Sequence, residues 1–305
     1  MVEEIFVIYN PNNREECVKY FNKFKRQFLY LDNINLKFTP DENYNLYNKD
    51  LENINSGMPE CVSLIDTRNL PERNNEPNRL LIKDNFFRAT LEEKNENILH
   101  ELGHFFTNQT FKELRQYLSI NNPEQIEIQN FENQKLIDNH NKGLSYLWDI
   151  PKLPLEINAE LWIYENEPEY SESRIKRYCI GVNTEFSEND KIKYFYKIPF
   201  INFHIIYRCL TVKKVNFDFT NDCLARLDKA NNRLFKIANN FGWNGLKQLA
   251  FQSNILKSVE YKNENISNLI KIYEEIFEEY IKISASFFSE DFQNEILKLY
   301  NIESN

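Results

Sequence analysis

The chain of 305 residues is poor in several residue types, and each shortage excludes a class of protein. Glycine occurs only 6 times, against 24 phenylalanines and 17 tyrosines, which favours packed helices over a β-barrel with glycine at its turns. The cysteines are odd in number, widely spaced and without a CxxC pair, which argues against a disulfide framework and against a thiolate zinc site. They are Cys17, Cys61, Cys179, Cys209 and Cys223.

Positive charge and long apolar runs are lacking as well. The net charge is −9, and binding of phosphates needs clustered lysine and arginine, so nucleic acid is not an expected partner. The most apolar segment, residues 194–210, contains Lys197, Pro199 and His204, which makes it a poor membrane span. No basic region precedes an apolar run at the N-terminus, so no secretory signal is expected. We therefore expect a cytoplasmic protein without a membrane partner.

The spacing of apolar residues predicts an α+β fold with two lobes. Residues 1–107 form a small mixed α/β lobe in which an amphipathic helix over 14–31 follows the first strand and a helix over 91–106 ends the lobe. The polar stretch 41–56 is expected to be a loop. Residues 108–305 form a mostly helical lobe, in which Thr220 is the expected N-cap of a helix that stops at Gly242. The predicted strands cover residues 5–9, 34–38, 62–65 and 80–82; further helices cover 266–283 and the residues after Ser289.

The motif that carries chemistry lies in the last helix of the first lobe. Residues 97–106 contain HExxH, formed by His100, Glu101 and His104. A spacing of four places both imidazoles on one helix face, one turn apart, where they can bind a single zinc ion. Glu101 then lies beside the metal without ligating it and can activate a zinc-bound water by accepting its proton. Two ordinary surface histidines are the weaker interpretation, because the helix has a strongly apolar face.

Two imidazoles and a water leave a tetrahedral zinc ion one protein ligand short. The longer pattern HExxHxxGxxH is absent, because Thr107 and Thr110 stand at its last two positions. Glu156 and Glu160, four residues apart in the second lobe, share one helix face, so one can bind zinc while the other accepts the second N–H of a ligand histidine. A helix-start glutamate stabilised by the helix dipole is the alternative interpretation of Glu156. More remote candidate ligands are Glu165, Glu167 and Glu169.

HELGH followed by E-x-x-A-(acid)-x-(aromatic) resembles the zincins whose third ligand is glutamate, the gluzincins, and most of all the ImmA/IrrE-type metallopeptidases. The resemblance covers these two short blocks and the strand-then-helix order before the first. It implies that Glu156 is the third ligand of Zn²⁺, that Glu160 occupies the following acidic position, and that Ala159 packs against the active-site helix. The distance from His104 to Glu156 is longer than the usual pattern, and the C-terminal part resembles nothing known to us, so no substrate is implied.

The expected function is that of a zinc metallopeptidase, a hydrolase that cleaves a protein or peptide substrate. One alternative is a regulatory or interaction protein of zincin fold with narrow or no general proteolysis, suggested by the large helical lobe without visible chemistry. Another is hydrolysis of a non-peptide amide, which the same ligands support. No oligomeric state is predicted.

Three further residues and one strand carry weaker expectations. A zincin needs a donor for the oxyanion, and His204 and Tyr207, one helical turn apart, are candidates that we do not select. His204 has apolar neighbours, which indicates a core histidine, whereas His140 stands among polar residues and is expected to be solvated. The strand at 80–82 is the candidate sheet edge for pairing with an extended substrate.

Overall fold

The structure is a computed structural model that describes residues 3–28, 34–40, 62–65, 76–121, 123, 125–126, 134–180, 195–243, 252–257, 259 and 266–302. The predicted loop at 41–56 lies outside these residues. The described chain is mostly helical and contains one small mixed sheet, which confirms the coarse α+β class.

The sheet contains four strands, β1 (Glu3–Tyr9), β2 (Ile34–Pro40), β3 (Val62–Ile65) and β4 (Asn78–Ile82). They lie in the order β2-β1-β4-β3. The strand β1 is parallel to both of its neighbours, whereas β3 is antiparallel to β4. The expectation that residues 80–82 form a sheet edge is wrong, because β4 lies inside the sheet and β3 forms the edge. Leu80, Leu81 and Ile82 are all buried, as a strand covered on both faces requires.

Two helices pack with the sheet. Helix α1 (Arg14–Gln27) connects the parallel strands β1 and β2, and it is shorter at its C-terminus than predicted. Helix α2 (Leu91–Thr107) follows β4 and contains the HExxH motif. Buried side chains from both helices and from the sheet form one hydrophobic cluster, in which Phe21, Phe24 and Leu99 are all at most 1% exposed. This cluster holds α2 in a fixed position against the strands.

The remaining described helices form a second hydrophobic cluster. They are α3 (Lys112–Ile120), α4 (Gln134–Asp149), α5 (Leu153–Asn166), α6 (Pro168–Tyr178), α7 (Ile198–Lys214), α8 (Thr220–Asn240), α9 (Ile266–Ala285) and α10 (Glu290–Leu299). The prediction that Thr220 is the N-cap of α8 is wrong, because Phe219 holds that position and Thr220 is the first residue of the helix. The helix ends just before Gly242, as predicted, and the φ of Gly242 is +82°. None of the described helices combines the length and apolar character needed to cross a bilayer.

Helix α5 belongs to both clusters. Its Ile157 lies in the helical cluster, whereas Ile163 packs with the sheet cluster, so α5 joins the two parts of the molecule. Within the helical part, one bond was not expected from the sequence: Cys179 at the end of α6 and Cys223 in α8 form a disulfide, with 4.9 Å between their Cα atoms. The spacing of the cysteines, which argues against a disulfide framework, does not reveal this pair, whose members are 44 residues apart.

Candidate metal centre

Helix α2 begins with a capping box that its sequence encodes. The Thr90 hydroxyl accepts a hydrogen bond from the Glu93 backbone N–H at 3.2 Å, and the Glu93 carboxylate accepts from the Thr90 backbone N–H at 2.9 Å. Ten residues further along, the apolar side of α2 is fully buried while His100 and His104 keep 15% and 12% of their side chains exposed. The motif therefore lies on the face of a well-anchored helix that is directed away from the sheet cluster.

Gly103 allows α5 to lie directly on α2. A Cβ atom at Gly103 would come within 2.7 Å of the Ala159 carbonyl oxygen and 3.1 Å of its Cα, both of which are backbone atoms. Only a glycine facing a small residue permits this close approach. The expected contact between Ala159 and the motif helix is thus present, and it brings Glu156 and Glu160 of α5 beside the two histidines.

Three side-chain atoms form a nearly regular triangle at this crossing. His100 Nε2 lies 3.2 Å from His104 Nε2 and 3.2 Å from Glu156 Oε2. The third side, from His104 Nε2 to Glu156 Oε2, measures 3.5 Å. Within the described parts of the chain, this is the only group of three or more histidine, cysteine, aspartate or glutamate side chains that could hold a metal ion.

The triangle has the dimensions of a zinc site. Zinc holds nitrogen and oxygen ligands at roughly 2.0–2.2 Å, which in a tetrahedron separates any two ligand atoms by roughly 3.3–3.6 Å. The observed separations of 3.2, 3.2 and 3.5 Å lie close to that range. Two imidazole nitrogens and one carboxylate oxygen are also the donor set of a catalytic zinc ion whose fourth position stays open. The residues present therefore fit the ion.

The electrostatics of the site favour a cation between these groups. Burial by itself lowers the pKa of His100, but hydrogen bonds to the Glu156 and Glu160 carboxylates raise it to about 10. Burial by itself raises the pKa of Glu156, but the two histidines hold it well below its usual value. Because the two carboxylates stabilise the protonated form of the His100 imidazole, positive charge is stabilised at this site. A divalent cation can replace that proton, because metal ions compete with protons for the same lone pairs.

Glu101 lies next to the triangle and contacts the edge of the sheet. Its Oε2 atom accepts a hydrogen bond from the backbone N–H of Leu64 in β3 at 3.0 Å. Burial raises the pKa of the Glu101 carboxyl. A carboxylate with a raised pKa takes up a proton more readily near neutral pH, which suits a general base.

Glu160 lies on the other side of the His100 ring, where its Oε1 atom is 2.7 Å from His100 Nδ1. This is the contact expected of a residue that orients a ligand histidine. Sequence patterns do not point to the residues that surround Glu160: Arg174 and Tyr207 both donate to its carboxylate. Tyr207 was considered only as an oxyanion donor, and nothing in the spacing of Arg174 singles it out.

The other histidines and glutamates lie outside the triangle. The expectation that His140 is solvated is wrong, because it is 0% exposed and its ring is surrounded by aromatic side chains. His204 is half-buried, with its ring edge-on to Phe200 at 4.3 Å between centroids. The remote candidates Glu165 and Glu169 are exposed and Glu167 is half-buried, and none of them belongs to the group of metal-binding side chains.

No protein family, no curated protein and no solved structure matches this chain. The geometry of the His100, His104 and Glu156 side chains is therefore the basis on which a function can be inferred.

Proposed function

We propose that the chain is a zinc-dependent metallopeptidase in which His100, His104 and Glu156 hold the ion and Glu101 is the general base. The observation that carries the proposal is the triangle of three ligand atoms, whose sides of 3.2, 3.2 and 3.5 Å match the demands of tetrahedral zinc. The resemblance to zincins with a glutamate ligand rests on the same residues and belongs to the proposal.

A bound zinc ion would supply Lewis-acid chemistry, which polarises a carbonyl group and makes water more acidic. Glu101 would take the proton from the attacking water, since its carboxylate lies beside the triangle and burial raises its pKa. It would later give that proton to the amine that leaves. His100 and His104 would keep one neutral nitrogen each directed at the ion, and Glu160 would hold the His100 ring through Nδ1.

A peptide is the substrate that the surroundings favour. Strand β3 forms an edge of the sheet. The backbone N–H of Leu64, which donates a hydrogen bond to Glu101, is directed away from β4 and toward the site. Backbone groups at an open edge can pair with an extended chain, as in other cases of strand addition. A peptide that pairs with β3 would pass beside Glu101. This arrangement favours peptides over small non-peptide amides, which have no strand to add.

The test combines metal analysis with a conservative change of the base. Purified wild type should contain one zinc ion per chain, and Glu101→Gln should retain it, because Glu101 is not a ligand. With unstructured peptides and casein as substrates, mass spectrometry should detect new N-termini with the wild type. The variant should be slower by on the order of 10²–10⁴-fold, the usual contribution of a general base.

Two outcomes would contradict the proposal in different ways. A wild-type protein that binds no zinc would contradict the proposed metal site. If zinc-loaded wild type and Glu101→Gln are equally inert on peptides, on casein and on an extract of the native cells, the catalytic role is contradicted. The chain would then be an interaction protein that contains a zinc ion.

A further inference from the structure

The carboxylate of Glu160 is buried and receives hydrogen bonds from three side chains. Only 1% of the residue is exposed. Its Oε1 atom is 2.7 Å from His100 Nδ1, accepts from the Tyr207 hydroxyl at 2.9 Å, and also accepts from Arg174 Nη2. Its Oε2 atom accepts from Arg174 Nε at 2.9 Å. The guanidinium group therefore binds both oxygens of the carboxylate as a fork, the geometry that arginine forms best.

Arg174 is brought to this place by the packing of α6 on α2. The Ser173 hydroxyl donates to Glu92 at 2.7 Å, and the Asn95 side-chain amide donates to the Tyr170 hydroxyl at 2.8 Å. Both contacts connect the two helices through residues of α6 that precede Arg174 in the sequence. The Arg174 side chain is 12% exposed, so its charge is largely removed from water and directed at Glu160. A buried charge of this kind needs a charged partner with good geometry.

Glu156 and Glu160 are chemically identical, lie one turn apart on α5, and both reach His100. Their surroundings differ. The contacts of Glu156 are with the two imidazoles, whereas Glu160 is held by the Arg174 fork and by Tyr207. A carboxylate bound at both oxygens cannot rotate toward the triangle without losing those bonds. The fork thereby decides which glutamate is left to bind a metal ion.

We propose that Arg174 is a positioning residue that assigns different roles to Glu156 and Glu160. It keeps Glu160 on the Nδ1 side of His100, so that the Nε2 lone pair of His100 faces the triangle and Glu156 alone completes it. This inference rests on the proposed zinc site, but not on catalysis. Because lysine offers a point charge without a fork, it should replace Arg174 only in part.

The experiment measures Zn²⁺ affinity by competition with a chromophoric chelator in the full chain. Arg174→Ala should bind zinc more weakly than wild type, by at most the roughly 10- to 100-fold that is usual for removing the group that directly orients a ligand histidine, here Glu160. Arg174→Lys should fall between the two. Millimolar methylguanidinium, below denaturing concentrations, should restore much of the affinity of Arg174→Ala and leave that of wild type unchanged.

Arg177→Ala is the matched control. Arg177 lies on the same helix and forms an ion pair with Glu96, a buried residue of α2, without touching Glu160. If loosening of α6 were the cause, Arg177→Ala would lower zinc affinity as much as Arg174→Ala. We expect it to destabilise the fold in urea but to keep zinc affinity close to that of wild type.

Each outcome decides the inference. Equal zinc affinities of wild type and Arg174→Ala, equal losses in Arg174→Ala and Arg177→Ala, or no rescue by methylguanidinium would overturn it while leaving the zinc site intact. Should Arg174→Ala fail to fold, Arg174→Lys takes its place, and a folded Arg174→Lys with wild-type affinity would overturn the role of the fork. Wild type that binds no zinc would overturn the proposed function itself.

Discussion

Two histidines, His100 and His140, are both removed from most solvent, yet their surroundings have opposite effects on their charge. Burial among aromatic rings lowers the pKa of His140 to about 4. Burial also acts to lower the pKa of His100, but hydrogen bonds to Glu156 and Glu160 raise it to about 10. The apolar environment of His140 therefore keeps its imidazole neutral, whereas the carboxylates beside His100 stabilise its protonated, positively charged form.

The difference separates a structural histidine from a candidate metal ligand. The nearest groups around His140 are the Ser284 hydroxyl and the phenol of Tyr300 at 3.4 Å, with further aromatic rings, and none of them carries charge at neutral pH. Among the described residues, the carboxylates of Glu101, Glu156 and Glu160 and the guanidinium of Arg174 surround His100 and His104, so negative charge is in excess. A divalent cation would compensate that excess, whereas the neighbours of His140 named above carry no charge to compensate.

The largest expected effect is the loss of zinc affinity when His100, the candidate ligand in this comparison, is replaced. His100→Ala should weaken zinc binding by roughly a hundred- to a thousandfold, if a total binding free energy of about 10–16 kcal/mol is shared among four ligands. His140→Ala, the control, removes an imidazole that is more deeply buried and should keep one zinc ion per folded chain. Chelator competition measures both affinities. Similar losses of zinc in the two variants would show that general damage to the fold, not ligation, is responsible.

The second expected effect is a loss of stability in acid that arises from His140, in the helical part of the chain. The folded-state pKa of His140 is depressed from 6.5 to about 4, so its contribution to stability is complete above pH 6.5 and is lost as the pH falls toward 4. The unfolded chain binds the proton more readily in this window, and the shift corresponds to a loss of about 3 kcal/mol.

Urea unfolding between pH 7 and pH 4, followed for wild type and His140→Asn, measures this contribution. The asparagine side chain does not titrate, so the variant should be less stable at pH 7 but lose less stability on acidification. Parallel pH dependences of the two proteins would show that His140 is not the group responsible.

The third effect tests the helix crossing that creates the charged site. Gly103→Ala would force its Cβ against the backbone of Ala159, and overpacking of this kind costs about 1–3 kcal/mol. Gly143→Ala is a matched control, because its Cβ would meet the hydroxyl of the buried Tyr280 beside His140. Thermal unfolding should show destabilisation in both variants, while only Gly103→Ala also weakens zinc binding. Full zinc affinity in Gly103→Ala would show that the crossing tolerates a shift.

Local patterns in the sequence predict the strands, several of the helices and most of the candidate site. Alternating or continuous apolar residues locate all four strands, and the HExxH spacing locates two of the three triangle residues without knowledge of the fold. The order of the strands is a long-range property, so the position of β3 at the edge could not be read from its own four residues. The same holds for Arg174, which reaches Glu160 from a different helix, and for the cysteine pair.

His140 is a different case, because its sequence contains a signal for burial. Its immediate neighbours in the chain are polar, and they suggest exposure. On a helix, however, the relevant neighbours are three and four residues away, and these are the buried Ile137 and Leu144. Helical periodicity applied to residues 134–149 predicts that His140 lies on the inner face.

The smallest expected effect tests whether the stability of α2 and the zinc affinity of the candidate site are independent. Thr90→Ala removes the capping box at the start of α2 and should cost about 1 kcal/mol, the usual contribution of such a cap. Ser289 holds the same position before α10 but makes no side-chain cap bond, so Ser289→Ala should cost clearly less. Both are measured by urea unfolding. Since His100 lies ten residues beyond the cap and its ring is held by carboxylates of α5, Thr90→Ala should leave zinc affinity unchanged. A variant that loses zinc in proportion to its stability would instead show that the folding of α2 limits the site, and that the surrounding carboxylates contribute less to it than the contrast with His140 indicates.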